Sequence, residues 1–250
     1  MLAGWLEQGL AAAVAVDPFP PPPERFGPRV TAVVDAAAIP EGFTPGAIVL
    51  AVKPQEADAT LPRFARLAGS AVFVSIMAGK TVAGMQAHLG EAAAIVRAMP
   101  NTPAAVRQGV TVGFAAPQVS AEQRALADRL LRAVGEVAWV EQELLIDPVT
   151  AVSGGGPAYV FLLAELLEAA AIEQGIPKDV ARLIARQTVS GSGALLAASA
   201  DDADVLRRNV TSPKGTTERA LAVLMGKDAW PALVSRAIAA ATARSRELAS

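Results

Sequence analysis

Through its first 140 residues the chain alternates between short, continuously apolar runs and stretches whose apolar positions recur at helical spacing. The runs at 13–16 (A-V-A-V), 47–52 (A-I-V-L-A-V), 71–77 (A-V-F-V-S-I-M) and 93–99 (A-A-I-V-R-A-M) contain β-branched residues and show no polar alternation. Runs of this kind predict strands buried on both faces. Helical patterns at 54–67, 81–89 and 121–134 separate or follow them, and 110–114 and 137–140 predict further strands. Met1–Gln8 predicts a short amphipathic helix stopped by Gly9. Strands alternating with helices predict a doubly wound, mostly parallel α/β sheet of Rossmann type. The F-P-P-P-P run at 19–23 predicts an extended loop between core elements rather than a proline-rich docking ligand.

From about Leu144 the strand pattern stops. S-G-G-G-P-A-Y (153–159) breaks the chain and opens a helix with Pro157 in its first turn, where the missing N–H matters least. Residues 159–172 are apolar on nearly every side, which predicts a helix buried all round. Glu165 and Glu168 share a face there; their spacing suits a solvated stripe better than a catalytic pair. The turn at 175–179 leads into a helix carrying S-G-S-G (190–193), small residues suited to close packing. Segments 205–209, 213–225 and 229–248 complete an all-α region.

Composition narrows the chemistry. With 22 Lys and Arg against 24 Asp and Glu, nothing favours nucleic acid or an anionic membrane as partner. There is no cysteine and one histidine, His88, so thiol catalysis, disulfides and a multi-histidine metal site are excluded, and no metal is expected. Hydrophobic residues make up 52% of the chain, yet no uninterrupted apolar run approaches the roughly 20 residues of a membrane span. The excess predicts a subunit interface. The start of the chain lacks the basic residues of a signal peptide, and a cytoplasmic protein is expected.

In a parallel sheet, ligands gather beyond the carboxyl ends of the strands. Lys53-Pro54, Ala78-Gly79-Lys80 and Pro100-Asn101-Thr102-Pro103 follow three successive runs there, and suit a backbone-lined nucleotide groove. Asp17 ends the first run, where an acidic residue hydrogen-bonds a ribose 2′-OH and repels a 2′-phosphate. No G-x-G-x-x-G precedes the helix at Met1–Gln8, so the order resembles a Rossmann unit without its first strand and glycine loop. The expectation is that the natural reading frame starts upstream, supplies both, and makes Met1 internal. The 250-residue chain alone should then bind dinucleotide weakly.

N-V-T-S-P-K-G-T-T-E-R-A (209–220) crowds four hydroxyls into seven residues at a helix start, more than a cap needs. Thr211 or Ser212 is expected to cap a helix begun by Pro213, with Gly215 admitting a ligand to the backbone. The N–H groups of a helix start favour an anion. Together with A-V-K-P-Q (51–55), R-A-M-P-N-T-P (97–103) and A-V-S-G-G-G-P-A-Y-V-F (151–161), this stretch makes the whole chain resemble pyrroline-5-carboxylate reductase.

The resemblance implies a Rossmann domain over residues 1–143, a helical substrate-binding and dimerisation domain over 144–250, and reduction of 1-pyrroline-5-carboxylate to L-proline with NADPH or NADH. It implies a homodimer or a larger ring of dimers. By position, Ala51, Val52, Lys53, Pro54, Ala78 and Gly79 look like the cofactor groove, and Asn209 and Val210 like neighbours of the nicotinamide. Ser212, Gly215, Thr216 and Thr217 look like the substrate clamp, with Thr217 nearest the imine nitrogen. Family members usually carry glycine where Lys214 stands, and Lys214 is therefore expected to have a negative φ. Hydride addition to a protonated imine needs positioning more than a strong acid, consistent with a site lacking His, Cys and metal. A β-hydroxyacid dehydrogenase would carry lysine and asparagine where this chain has Val160 and Ala164. A non-catalytic dimerisation scaffold is the other alternative.

Overall fold

The computed structural model describes residues 1–20, 22 and 25–249. Helix α1 (Leu2–Glu7) precedes β1 (Ala13–Val16) and β2 (Val30–Val33), which pair in parallel as a two-stranded sheet. A five-stranded sheet follows in the order β3 (Ala47–Leu50), β4 (Val72–Ser75), β5 (Ile95–Met99), β6 (Gly109–Ala115) and β7 (Gly135–Trp139). Its pairs are parallel except β5–β6. The doubly wound, mostly parallel reading holds. β2 is an element the sequence pattern missed. The proline run expected as a loop falls partly, at Pro21 and Pro23, outside the described residues.

β1 and β3 each form an outer edge of their sheet, and neither shows the full burial of β4 and β5. Val16 of β1 and Ile48 of β3 nevertheless pack against one apolar cluster built around Phe73, Met77, Met85 and Ile95. A second cluster, with Val72, Val74, Val96 and Leu131, covers the other face of the five-stranded sheet.

The helical pattern at 54–67 resolves into three short pieces rather than one helix. A 3-10 turn (Pro54–Glu56), α2 (Ala57–Thr60) and a second 3-10 stretch (Leu61–Leu67) follow one another. Pro62 has no N–H to continue an α-helix, so the chain tightens there while still burying Ala57, Leu61, Phe64 and Leu67. α3 (Val82–Leu89) is capped by Thr81, whose Oγ1 accepts from the Gly84 amide. α4 (Ala121–Arg132) opens on a capping box formed by Ser120 and Gln123.

The chain forms two compact units, Met1–Gly154 together with Ala241–Ser250, and Gly155–Ala240. α5 (Ile146–Val149) and a π-helical segment (Thr150–Gly154) close the first stretch of the former. The latter holds α6 (Gly156–Glu173), α7 (Lys178–Ala198), α8 (Ala203–Asn209), α9 (Thr216–Leu224) and most of α10 (Trp230–Leu248). α6 and α7 pack side by side. The expectation that 159–172 would be buried all round is not met within one chain: Phe161, Leu162 and Leu166 are each more than half exposed. By length and composition the stretch Glu143–Glu173 would also suffice to cross a membrane, because Glu165 and Glu168 dilute its apolar character too little.

Candidate active site

Two groups of the sequence-predicted residues lie in different units, and each has its own geometry. In the first unit they occupy strand ends. Ala51, Val52, Lys53 and Pro54 leave β3, with Lys53 exposed and Val52 turned into the core cluster. Ala78 and Gly79 leave β4 at the same sheet edge, since β3 and β4 run parallel. Asp17 stands at the corresponding end of β1, exposed, its carboxylate accepting from the Phe19 amide at 2.8 Å. Among the described residues that is the one hydrogen bond of its side chain. Gly79 has φ 75°, and a Cβ there would lie 2.7 Å from the Leu248 carbonyl oxygen, so this glycine is demanded by α10 packing as well as by its turn.

A charged cluster flanks the β4 turn. Lys80 Nζ donates to Asp58 Oδ1 at 3.1 Å, and His88 Nε2 lies 3.4 Å from the same oxygen. The Lys80 hydrogen bond and charge hold the Asp58 carboxyl below its ordinary range. His88 thus belongs to a surface cluster. Asn101, in the turn after β5, uses its side-chain oxygen to accept the Val110 amide and anchor β6.

Sequence reasoning attached no role to Arg97, in the middle of β5. It is one of the largest fully buried side chains, at 2% exposure. Its Nη1 donates to Glu143 Oε1 at 3.1 Å, and its Nη2 lies 3.9 Å from Asp147 Oδ1. The same Glu143 oxygen accepts the Val82 amide at 2.8 Å, and Asp147 Oδ1 accepts the Ser245 hydroxyl at 2.7 Å. A charged residue in a run expected to be buried on both faces was the available signal.

In the second unit, Asn209 is the last residue of α8 and Val210 its C-cap, while Gly215 is the N-cap of α9 and Thr216 and Thr217 its first two residues. The helix therefore begins at Thr216, three residues later than Pro213. Thr211 does not cap it: its hydroxyl donates to the Arg207 carbonyl at 2.7 Å, finishing α8. Ser212 to Gly215 form a turn closed by the Gly215 amide on the Ser212 carbonyl at 3.0 Å. Proline at the second position and a positive φ at the third are features shared with type II turns. Lys214 has φ 59°, so the expected negative φ is wrong. The turn takes its left-handed residue whether or not glycine supplies it, and the Lys214 amide is held by Glu218 Oε2 at 2.6 Å. Among the described residues no side chain caps α9, and Asn209, Val210, Ser212, Thr216 and Thr217 are all exposed in the single chain. The turn thus presents uncapped helix N–H groups and two adjacent hydroxyls, a donor set for a small anion.

A protein-family pattern described as "Pyrroline-5-carboxylate reductase dimerisation" matches residues 143–248. Pyrroline-5-carboxylate reductase of Pseudomonas aeruginosa is 43% identical over 203 residues, covering 81% of this chain and 74% of that one. The chain belongs to the pyrroline-5-carboxylate reductase family. The Haemophilus influenzae reductase is 33% identical over 251 residues, 99% of this chain and 92% of its own. A solved pyrroline-5-carboxylate reductase from Coxiella burnetii superimposes with a TM-score of 0.90 at 34% identity, covering all of this chain and 93% of that one. The Plasmodium falciparum enzyme, solved with NADP bound, gives 0.76 at 27% identity and covers 92% and 86%. The matched stretch 143–248 takes in the exposed apolar helices α6 to α9.

Proposed function

We infer that the protein is an NAD(P)H-dependent oxidoreductase that reduces 1-pyrroline-5-carboxylate to L-proline, the last step of proline biosynthesis. The observation that carries this reading is the 209–217 segment: an intact T-S-P-K-G-T-T turn delivering uncapped amides and paired threonine hydroxyls at the start of α9.

The chain's own residues have limited tasks in this chemistry. Ser212, Gly215, Thr216 and Thr217 bind the substrate, the α9 amides taking its carboxylate. Thr217 is assigned the ring nitrogen, to which its hydroxyl offers a neutral hydrogen-bonding partner. The ring nitrogen is protonated in the reactive imine, so no strong general acid is required of the protein; orientation and exclusion of water supply the acceleration. The strand-end residues fit a dinucleotide: Asp17 offers an exposed carboxylate to a ribose diol, and Ala51, Val52, Lys53, Pro54, Ala78 and Gly79 form turns of mostly small residues at one sheet edge. Asn209 and Val210 are assigned to the nicotinamide end. When bound, the reduced nicotinamide supplies the hydride.

The division at 143/144 into a cofactor domain and a substrate-binding, dimerising domain, the ring of dimers and a cytoplasmic location belong to the same reading. The test is a turnover assay with purified protein, pyrroline-5-carboxylate and each reduced nicotinamide, with proline quantified as product. Stoichiometric proline is expected. Binding of cofactor and substrate without proline would leave a scaffold, and the reading would fail.

A further inference from the structure

We propose that Arg97 is a positioning residue that sets the shape of the Ala78–Thr81 turn from beneath, through two carboxylate arms that converge on that turn. The inference rests on the assignment of Ala78-Gly79 to the cofactor groove.

One arm runs upward through Glu143. The Arg97 guanidinium donates to Glu143 Oε1, and that oxygen also accepts the amide of Val82, the first residue of α3. Thr81 caps α3 through the Gly84 amide, while Glu143 takes the N–H of the helix's first residue and puts negative charge at the helix start. The other arm runs through Asp147, which lies beside Arg97 Nη2 and accepts the Ser245 hydroxyl. Ser245 fixes the last turn of α10, and three residues later the Leu248 carbonyl closes over Gly79. One arm therefore holds the exit of the turn and the other its glycine. Nothing in this arrangement requires Arg97 to touch a ligand.

Stability alone would not call for this cation. Among the described residues Arg97 Nε and Nη2 have no hydrogen-bond partner, and a buried guanidinium left partly unsatisfied is a poor way to fill a core. An apolar residue of similar volume on β5 would pack there without that desolvation penalty. What an apolar residue would not do is hold Glu143 and Asp147 at fixed positions under the turn.

The experiment uses the full chain and the variants Arg97→Met, Glu143→Gln and Ser245→Ala, the last as a mild change should Arg97→Met fail to fold. Amide hydrogen exchange without ligand is read at Val82 and Gly84, and NADPH and NADH affinity by fluorescence titration. Steady-state KM for cofactor, KM for pyrroline-5-carboxylate and kcat complete the set. Exchange at Val82 is expected to accelerate at least tenfold in Arg97→Met and Glu143→Gln, with strands β4 and β5 still protected. Cofactor affinity should fall about fivefold to tenfold, with substrate KM and saturating kcat within twofold of the parent, and Ser245→Ala should show a smaller shift in the same direction. Val82 exchange or cofactor affinity unchanged in folded variants would overturn the proposal, as would an equal fall in every kinetic constant. If the parent binds dinucleotide without protecting residues 78–84, the groove assignment is what fails, and the amide-exchange result still decides the role of Arg97 in the turn.

Discussion

In the sheet unit, β4 and β5 are buried along their whole length, and Phe73, Ile95 and Leu131 have no exposed surface. In Gly155–Ala240 the buried hydrophobics are Ala181 and Ala185, while Phe161, Leu166, Leu183, Val223 and Val234 are all more than half exposed. Both stretches are rich in aliphatic residues. A sheet with helices against its faces encloses its own core, whereas a pair of helices such as α6 and α7 buries one stripe each and leaves the remaining apolar sides open. On the proposed reading the helical unit is half of an interface, and its stability should depend on protomer concentration in a way that the sheet's does not.

The largest effect should come from charging that open surface. Leu162 and Leu166 lie one turn apart on α6, and Leu162→Glu with Leu166→Glu would bury two unpaired carboxylates wherever a partner covers them. Light scattering should show loss of the dimer, and the concentration dependence of thermal unfolding should vanish. Phe73→Ala is the matched change in the sheet. It should remove about 3–5 kcal/mol of stability while leaving the oligomer intact. A monomeric parent protein at micromolar concentration, or a doubly charged variant that still dimerises, would break the comparison.

Next comes the turn on the helical unit. Thr217→Ala should lower kcat/KM by about 1–3 kcal/mol of transition-state stabilisation, with unfolding unchanged because the side chain is exposed in the chain alone. Thr216→Ala should do less if that residue acts mainly through its amide. Parent-like turnover in Thr217→Ala would move the clamp elsewhere.

The corresponding test on the sheet unit concerns cofactor choice. An exposed carboxylate at Asp17 would favour a ribose diol over a 2′-phosphate, so NADH should serve at least as well as NADPH. Asp17→Ser should shift the kcat/KM ratio toward NADPH by about tenfold, or ~1.4 kcal/mol. A parent protein that prefers NADPH tenfold would refute the role given to Asp17.

The same contrast explains what could be read from the residues alone. Strands β4 and β5 were legible because strands buried on both faces demand unbroken apolar runs. β2 was not: V-T-A-V is four residues long, interrupted by Thr31 and followed by Asp35, and only pairing with β1 makes it a strand. The apolar sides of 159–172 were legible, but what covers them was not, since periodicity cannot separate a core helix from an interface helix. The Ser212–Thr217 turn stood out through its crowd of small polar residues. Arg97 did not, because its partners Glu143 and Asp147 come from distant positions in the chain.

The smallest expected effect lies within the substrate turn. Lys214 occupies a left-handed position, which costs a residue with a Cβ roughly 1–2 kcal/mol, whereas glycine adopts it freely. Lys214→Gly relieves that strain but returns chain entropy to the unfolded state, roughly 0.5–1 kcal/mol. The net gain should be a few tenths of a kcal/mol to about 1 kcal/mol, a rise of at most roughly 2–4 °C in Tm for a chain of this size. Because the Lys214 amide stays on Glu218, the turn keeps its shape and turnover should change little. Lys214→Ala separates strain from side chain: it removes the ammonium while keeping the Cβ, and should leave Tm where the parent has it. If Lys214→Gly destabilises the protein while Lys214→Ala does not, the left-handed turn is not how this segment is held.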